Sequence, residues 1–170
     1  DQGEALTAEH RLSALALRTD LALQAGDTAA AADWLARHAE QLAAIKQPSQ
    51  VAQARLARLR GDYAQARGER TAAERAYREA LTKFREARER VGIATSLAHW
   101  AGLAYANGEY DAAHDRLRRA LYIRLWLLDR RGAIKTFEQL AQVATARGDT
   151  AEAAAAAAWS KRLRDNETPD

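Results

Sequence analysis

The spacing of apolar residues predicts α-helix along nearly the whole chain. In residues 70–89, small and large apolar residues recur every three or four positions, which is the spacing of one helix face: Ala73, Tyr77, Ala80, Leu81 and Phe84. Forty residues later the first four positions recur as Ala113, Leu117, Ala120 and Leu121. The sequence therefore predicts a helix that recurs along the chain. Its apolar face combines large and small residues, which lets neighbouring helices pack closely.

Four glycines mark the period of this repeat. Gly26, Gly68, Gly108 and Gly148 are separated by 42, 40 and 40 residues. Each precedes an Asp or a Glu, and each is followed five residues later by an Ala. A glycine supplies the backbone conformation that ends one helix, and an acidic residue favours the start of the next. Each period is therefore a pair of helices, A and B, which buries its apolar face by stacking on its neighbours.

Aligning the chain on these glycines predicts one all-α domain, an α-α superhelix of four helix pairs over residues 1–170. The repeats span about 8–45, 51–90, 92–130 and 132–167, and their helices about 8–25, 28–44, 51–67, 70–89, 93–107, 110–129, 133–147 and 150–165. Gln47-Pro48-Ser49 separates the first two repeats, and Gly92 and Gly132 mark the later joints. Residues 150–164 are rich in alanine, which predicts a thin or fraying last pair. The chain begins at Asp1, which suggests an excerpt of a larger protein.

Composition narrows the functional classes. Cysteine is absent, which excludes disulfides, thiol nucleophiles and thiolate metal sites. The 26 basic and 23 acidic residues are interspersed, as on solvated helix faces, so we expect no direct nucleic-acid binding. No apolar run is long enough for a membrane span, so we expect no membrane partner and a cytoplasmic location, with the periplasm left open.

The residues that recur in each pair resemble the tetratricopeptide repeat. The third repeat fits that pattern best, through Leu97, Trp100, Ala101, Ala104, Gly108, Tyr110, Ala113, Leu117 and Ala120. A unit of 40 residues is longer than the family's usual length of about 34 residues. The resemblance implies a non-enzymatic module that binds a protein or peptide partner.

The first two repeats form a subtype of their own. Residues 17–22 match residues 59–64 at an offset of 42, with Asp20 and Asp62 at matching positions beside an Arg. This pattern is similar to the helical sensor region of large LuxR-type, ATP-dependent bacterial transcription regulators, whose repeats bind an inducer or a regulatory protein. We interpret Asp20 and Asp62 as members of a repeated structural ion pair.

No motif predicts chemistry. The four histidines share no metal-ligand spacing, and no phosphate-binding glycine loop or Ser/His/Asp arrangement is present. We therefore expect no catalytic residue, no metal site and no cofactor.

The resemblance instead implies a concave groove, formed by the helix A positions that stay outside the core. The candidate partner-binding residues are Arg55, Arg58, Asp62, Thr95, His99, Gly102, Tyr105, Lys135, Glu138 and Gln142. Gly102 leaves room beside Tyr105 and His99, so part of a partner could lie there against an aromatic wall.

A second candidate surface emerges when the repeats are compared. Where the second repeat has Lys83, Arg85, Glu86 and Arg88, the third has Ile123, Leu125, Trp126 and Leu128. An apolar patch in one repeat only predicts a self-association surface, which would make the chain a homodimer, a docking surface for another domain, or internal packing. The functions that stay open are a groove-binding interaction module, a sensory domain of a transcription regulator, and a homo-oligomerisation module.

Overall fold

The computed structural model describes residues 2–165, with side chains from Thr7 onward. All regular structure in that range is helical, as the apolar spacing predicts. The helices are α1 (Gln2–Gln24), α2 (Thr28–Ala43), α3 (Gln50–Ala66), α4 (Arg70–Glu86), α5 (Arg90–Ala106), α6 (Tyr110–Trp126), α7 (Arg130–Ala146) and α8 (Thr150–Asp165). None of these helices is long and apolar enough to cross a membrane.

The chain divides into two compact units, Asp1–Gly92 and Ile93–Asp170, called here the N-terminal and C-terminal units. In the N-terminal unit α1 packs on α2, α3 packs on α4, and α3 also contacts α1 and α2. In the C-terminal unit α7 packs between α6 and α8.

The turns inside each helix pair have the predicted conformation. The four repeat glycines have φ between 73° and 78°, a region that L-residues with a side chain rarely adopt. At the first turn, the amide of Asp27 donates to the carbonyl of Ala22 at 2.9 Å, which satisfies the end of α1. The Asp27 side chain then accepts from the amide of Ala30 at 2.9 Å and so caps α2.

The joints between the later pairs differ from the prediction. α4 and α6 end at Glu86 and Trp126, three residues earlier than predicted, and Arg88 and Leu128 turn the chain, each with φ of 55°. Left-handed residues therefore stand at 68, 88, 108, 128 and 148, so one helix and its turn occupy 20 residues. The placement of the joints at Gly92 and Gly132 is wrong, because both glycines lie in the first turn of a helix.

Close packing explains those two glycines. A Cβ atom at Gly92 would collide with the ring of Phe84, and one at Gly132 would collide with Asp129 and approach Arg124 Cδ within 2.9 Å. Each glycine lets the start of a helix lie against the end of the preceding helix. They are sites of close approach rather than turns.

Core positions follow the predicted helix face. The five positions of α4 named by the pattern are all buried, as are Ala113, Leu117 and Ala120 of α6, while Leu121 is half-buried. In the N-terminal unit a cluster of Leu12, Leu42 and Leu56 joins the first three helices. The alanine-rich α8 continues to Asp165 and buries only Ala156 and Ser160. Residues 166 and 167 of the predicted fourth repeat lie outside the described residues.

Candidate interaction surfaces

A buried arginine organises the N-terminal unit. Arg58 on α3 is 7% exposed, and its guanidinium pairs with Asp62 one turn later on the same helix. Its Nη2 also lies 3.2 Å from Asp20 Oδ2 on α1. Tyr77 on α4 completes the cluster, because its hydroxyl donates to Asp62 Oδ1 at 2.8 Å. The cluster therefore links three helices: Arg58 and Asp62 on α3 contact Asp20 on α1 and Tyr77 on α4.

The charges of this cluster compensate one another. Burial alone would lower the pKa of Arg58, but the carboxylates of Asp62 and Asp20 together raise it above its ordinary value. Burial, followed by the charge of Asp62, raises the pKa of the Tyr77 hydroxyl. The two aspartates form ion pairs, but the interpretation as a repeated pair is wrong, because both pair with the single Arg58 and neither pairs with the Arg beside it in sequence. Arg18, for example, lies 4.6 Å from the ring of Trp34.

The two candidate groove residues Arg58 and Asp62 therefore lie in this buried cluster, at 7% and 9% exposure. Arg55, the third candidate of this unit, is half-buried and donates to Ser13 Oγ at 3.2 Å. Little of Arg58 and Asp62 is accessible to a partner, so in this unit Arg55 offers the larger surface.

Next to this cluster lies a histidine without polar partners. His38 on α2 is fully buried, and neither ring nitrogen has a hydrogen-bond partner among the described residues. Burial, reinforced by the positive charges of Arg55, Arg58 and Arg60, lowers the pKa of His38 to about 4. Its imidazole is therefore neutral at neutral pH.

In the C-terminal unit the candidate residues of α5 share one helix face by their spacing. Thr95, His99 and Gly102 are half-buried, and Tyr105 at the end of that face is 40% exposed. The Tyr105 ring lies 5.5 Å from the ring of Tyr110, centroid to centroid, which restricts its orientation. This face therefore presents a positioned aromatic side chain.

The candidate residues of α7 likewise share a face of that helix. Lys135 and Gln142 are exposed, while Glu138 is half-buried and accepts from Arg164 on α8 at 2.8 Å. Glu138 is thus already engaged by its own unit, and its neighbours on this face are accessible.

The end of α6 exposes the predicted apolar patch. Leu125 is 47% exposed, Trp126 60% and Leu128 88%, while Ile123 is half-buried. Tyr122, one residue earlier in the chain than Ile123, is 73% exposed. Large apolar side chains at this exposure are a common mark of contact surfaces.

Sequence reasoning missed the residue on the inner side of the same helix end. Arg124 is 9% exposed, and its Nη1 donates to the carbonyl of Gly132 at 2.8 Å and to the hydroxyl of Thr136. One signal could have revealed it, since Arg124 stands 40 residues after Phe84, which is 3% exposed in the core of α4. The signal is thus a difference between repeats: an arginine stands where the preceding repeat has an aromatic core residue. Among the described residues no group of His, Asp and Glu side chains could hold a metal ion.

Comparison with known proteins supports the repeat architecture at the level of structure. No family model matches the chain, and no curated protein matches it in sequence. BtubC (BKLC) from P. vanneervenii superposes with a TM-score of 0.56 at 18% identity, over 99% of this chain and 86% of that one. A protein of Podosopora anserina described as a kinesin light chain with nearly identical TPR-like repeats gives 0.67 at 20% identity, over 94% and 78%.

These likenesses establish the fold and leave the likeness to LuxR-type regulators a prediction. The chain has the fold of the TPR-like helical-repeat proteins, an all-α architecture of the α-α superhelix class.

Proposed function

We propose that the chain is a non-enzymatic protein-interaction module, which holds a peptide or protein partner on the exposed faces of α5 and α7. The observation that carries the proposal is the α5 face, where Tyr105 is 40% exposed and held against Tyr110, next to the small Gly102. Rigid aromatic side chains lose little conformational entropy on binding and are common energetic centres of interfaces. Lys135 and Gln142 on α7, in the same unit, add exposed polar groups that would set specificity.

Capture of partners from a lysate of the source organism tests this proposal, provided that matched variants are compared. The wild-type chain and the variant Tyr122→Ala should retain the same partner, and Tyr105→Ala should lose it. Tyr122 is the control because it is also an exposed tyrosine but lies on α6. Retention by Tyr105→Ala together with loss by Tyr122→Ala would reject the α5 face.

Self-association through the end of α6 is a second candidate function. It is favoured by the exposure of Leu125, Trp126 and Leu128, at a place where the second repeat is charged. Contact with a second surface would remove these exposed apolar side chains from water, which is energetically favourable. Light scattering coupled to size-exclusion chromatography should then give a dimer mass for the wild type and a monomer mass for Trp126→Glu.

The matched control for that measurement is Trp159→Glu, since Trp159 on α8 is 51% exposed. It should leave the dimer intact. A wild-type chain that stays monomeric at all concentrations would reject self-association and leave the α5 proposal untouched.

A further inference from the structure

The C-terminal unit contains a cavity with a mixed lining. Its volume is about 270 Å³, just below the range of about 300–1,000 Å³ typical of small-molecule sites. It lies where the end of α6, the start of α7 and the end of α8 meet. Its wall consists of four apolar residues, two arginines and one aspartate: Leu125, Leu128, Ala133, Leu163, Arg124, Arg130 and Asp129.

One of the arginines is only partly satisfied by the protein. Arg124 is nine-tenths buried, and its Nη1 donates both to the carbonyl of Gly132 and to the hydroxyl of Thr136. Its Nε lies 3.9 Å from Asp129 Oδ2, which is beyond hydrogen-bonding distance. Among the atoms that the structure describes, none accepts a hydrogen bond from Nη2.

The charge of Arg124 is also poorly compensated. Burial lowers the pKa of this guanidinium, and Asp129 offsets that effect only in part, but an arginine stays protonated in proteins. Asp129 is itself occupied, because its Oδ1 caps α7 by accepting from the amide of Gly132 at 2.9 Å. Arg130, the second arginine of the wall, already donates to the carbonyl of Leu163 at 2.8 Å, so the charge that concerns the cavity is that of Arg124.

Packing of the repeat does not require this arrangement. At the equivalent position of the N-terminal unit, Phe84 lies against Gly92 as the Arg124 side chain lies against Gly132. An aromatic ring therefore serves the same contact without any buried charge. The arginine adds a buried donor and a positive charge beside the four apolar residues of the wall.

We propose that this cavity binds a small carboxylic acid with an apolar body, its carboxylate on Arg124 and its hydrocarbon against Leu125, Leu128, Ala133 and Leu163. A guanidinium matches the planar carboxylate, and hydrogen bonds between ionised partners are among the strongest. The apolar wall favours a hydrocarbon body, whereas a small hydrated anion such as phosphate would leave several of its oxygens without donors there. The ligand is a free small molecule. The site is separate from the α5 face but shares Leu125 and Leu128 with the candidate self-association surface, so a ligand and a second chain would compete for these two leucines.

Calorimetric titration of the full chain with octanoate tests the proposal, with octanol and octylammonium as probes of the same length. Octanoate should bind. Octanol, which is uncharged, and octylammonium, which is cationic, should bind at least about tenfold more weakly, because only a carboxylate pairs with the guanidinium. Absence of octanoate binding at millimolar concentration would overturn the proposal. Equal binding of octanol would overturn the role of Arg124.

Two variants locate the site without risk to the fold. Leu128→Gly removes one wall of the cavity and relaxes a backbone with φ of 55°, so octanoate affinity should fall about tenfold while the melting temperature stays equal or rises. Arg88→Gly makes the same backbone change at the equivalent turn and should keep wild-type affinity. Unchanged octanoate affinity in Leu128→Gly would place the ligand elsewhere and overturn the assignment.

A third variant tests the guanidinium directly. Arg124→Met should abolish octanoate binding while circular dichroism still shows a helical fold. Retention of full affinity by this variant would overturn the proposal. Should the variant unfold, the three probes and Leu128→Gly still decide the question.

Discussion

The ends of α4 and α6 occupy equivalent places in successive repeats, yet their polarity is reversed. In α4, Phe84 is buried while Lys83, Arg85 and Glu86 face outward or are half-buried. In α6, Arg124 is buried while Leu125 and Trp126 are exposed. Both segments form the same helix end and turn at the same φ, so the repeat fold tolerates either arrangement. The helix end itself therefore does not require the reversal.

A second contrast concerns the two buried arginines. Arg58 lies between Asp20 and Asp62, so its charge is compensated inside the N-terminal unit. Arg124 is held by a carbonyl and a hydroxyl, with its nearest carboxylate at 3.9 Å. The first arginine stabilises its unit, and the second leaves a charge available to a ligand.

The largest expected effect is the loss of the compensated arginine. Arg58→Met should lower the free energy of unfolding by about 3–5 kcal/mol at neutral pH, because two aspartates lose their shared buried partner. Arg124→Met should cost only about 1–2 kcal/mol, since it removes hydrogen bonds and an incompletely paired charge together. Urea unfolding followed by circular dichroism measures both, and equal losses would contradict the contrast between the two arginines.

The reversed polarity predicts a second inequality. Phe84→Ala should cost about 3–4 kcal/mol of unfolding free energy, because it leaves a cavity against Gly92 in a tightly packed core. Arg124→Ala, at the equivalent position, should cost roughly half as much. Chemical denaturation of the two variants checks this. A larger loss of unfolding free energy for Arg124→Ala would show that Arg124 contributes more to stability than Phe84 does.

Acid should destabilise the N-terminal unit through His38. Its pKa is about 4 in the folded chain, against an ordinary value of 6.5, so the unfolded chain takes up the proton first as the pH falls. The folded state therefore loses stability progressively between pH 6.5 and 4, by about 3 kcal/mol in all. The groups that favour the neutral form are Arg55, Arg58 and Arg60, whereas Asp20 opposes them.

Unfolding free energy measured across that pH range tests this expectation. His38→Leu should remove most of the loss, while His10→Gln, at an exposed position, should keep it. The same slope in wild type and His38→Leu would show that carboxylates alone account for the acid sensitivity.

The smallest expected effect comes from the two left-handed turns. Arg88→Gly and Leu128→Gly should each raise the free energy of unfolding by about 0.5–1 kcal/mol, because both residues hold φ of 55°. Thermal melts of the two variants compare them directly. A loss of stability in Leu128→Gly alone would mean that this exposed side chain packs within the chain's own fold.

Sequence reasoning predicted the fold well where local physics decides it. The four repeat glycines required a left-handed backbone, and the periodic apolar residues defined the helix faces. It misplaced the later joints because Arg88 and Leu128 adopt the left-handed conformation without being glycine, while Gly92 and Gly132 serve close packing. The division into one domain or more, and the binding residues themselves, stay predictions.

Long-range partners explain what the sequence could not show about the candidate sites. Asp20 lies 38 residues from Arg58, so no local spacing predicts that pair. Arg124 stands in sequence among the residues of the apolar patch, which gives no sign that its side chain is buried. Only alignment with Phe84 at an offset of 40 indicates its burial. The faces of α5 and α7 followed from the repeat register alone.

The measurement that tests the proposed function most directly is hydrogen–deuterium exchange of the full chain, with and without a partner obtained by capture. The account predicts slower exchange on binding in the second half of α5, around Gly102 and Tyr105, and unchanged exchange in α1, α2 and α4. Protection confined to α1–α4, with α5 unaffected, would contradict it.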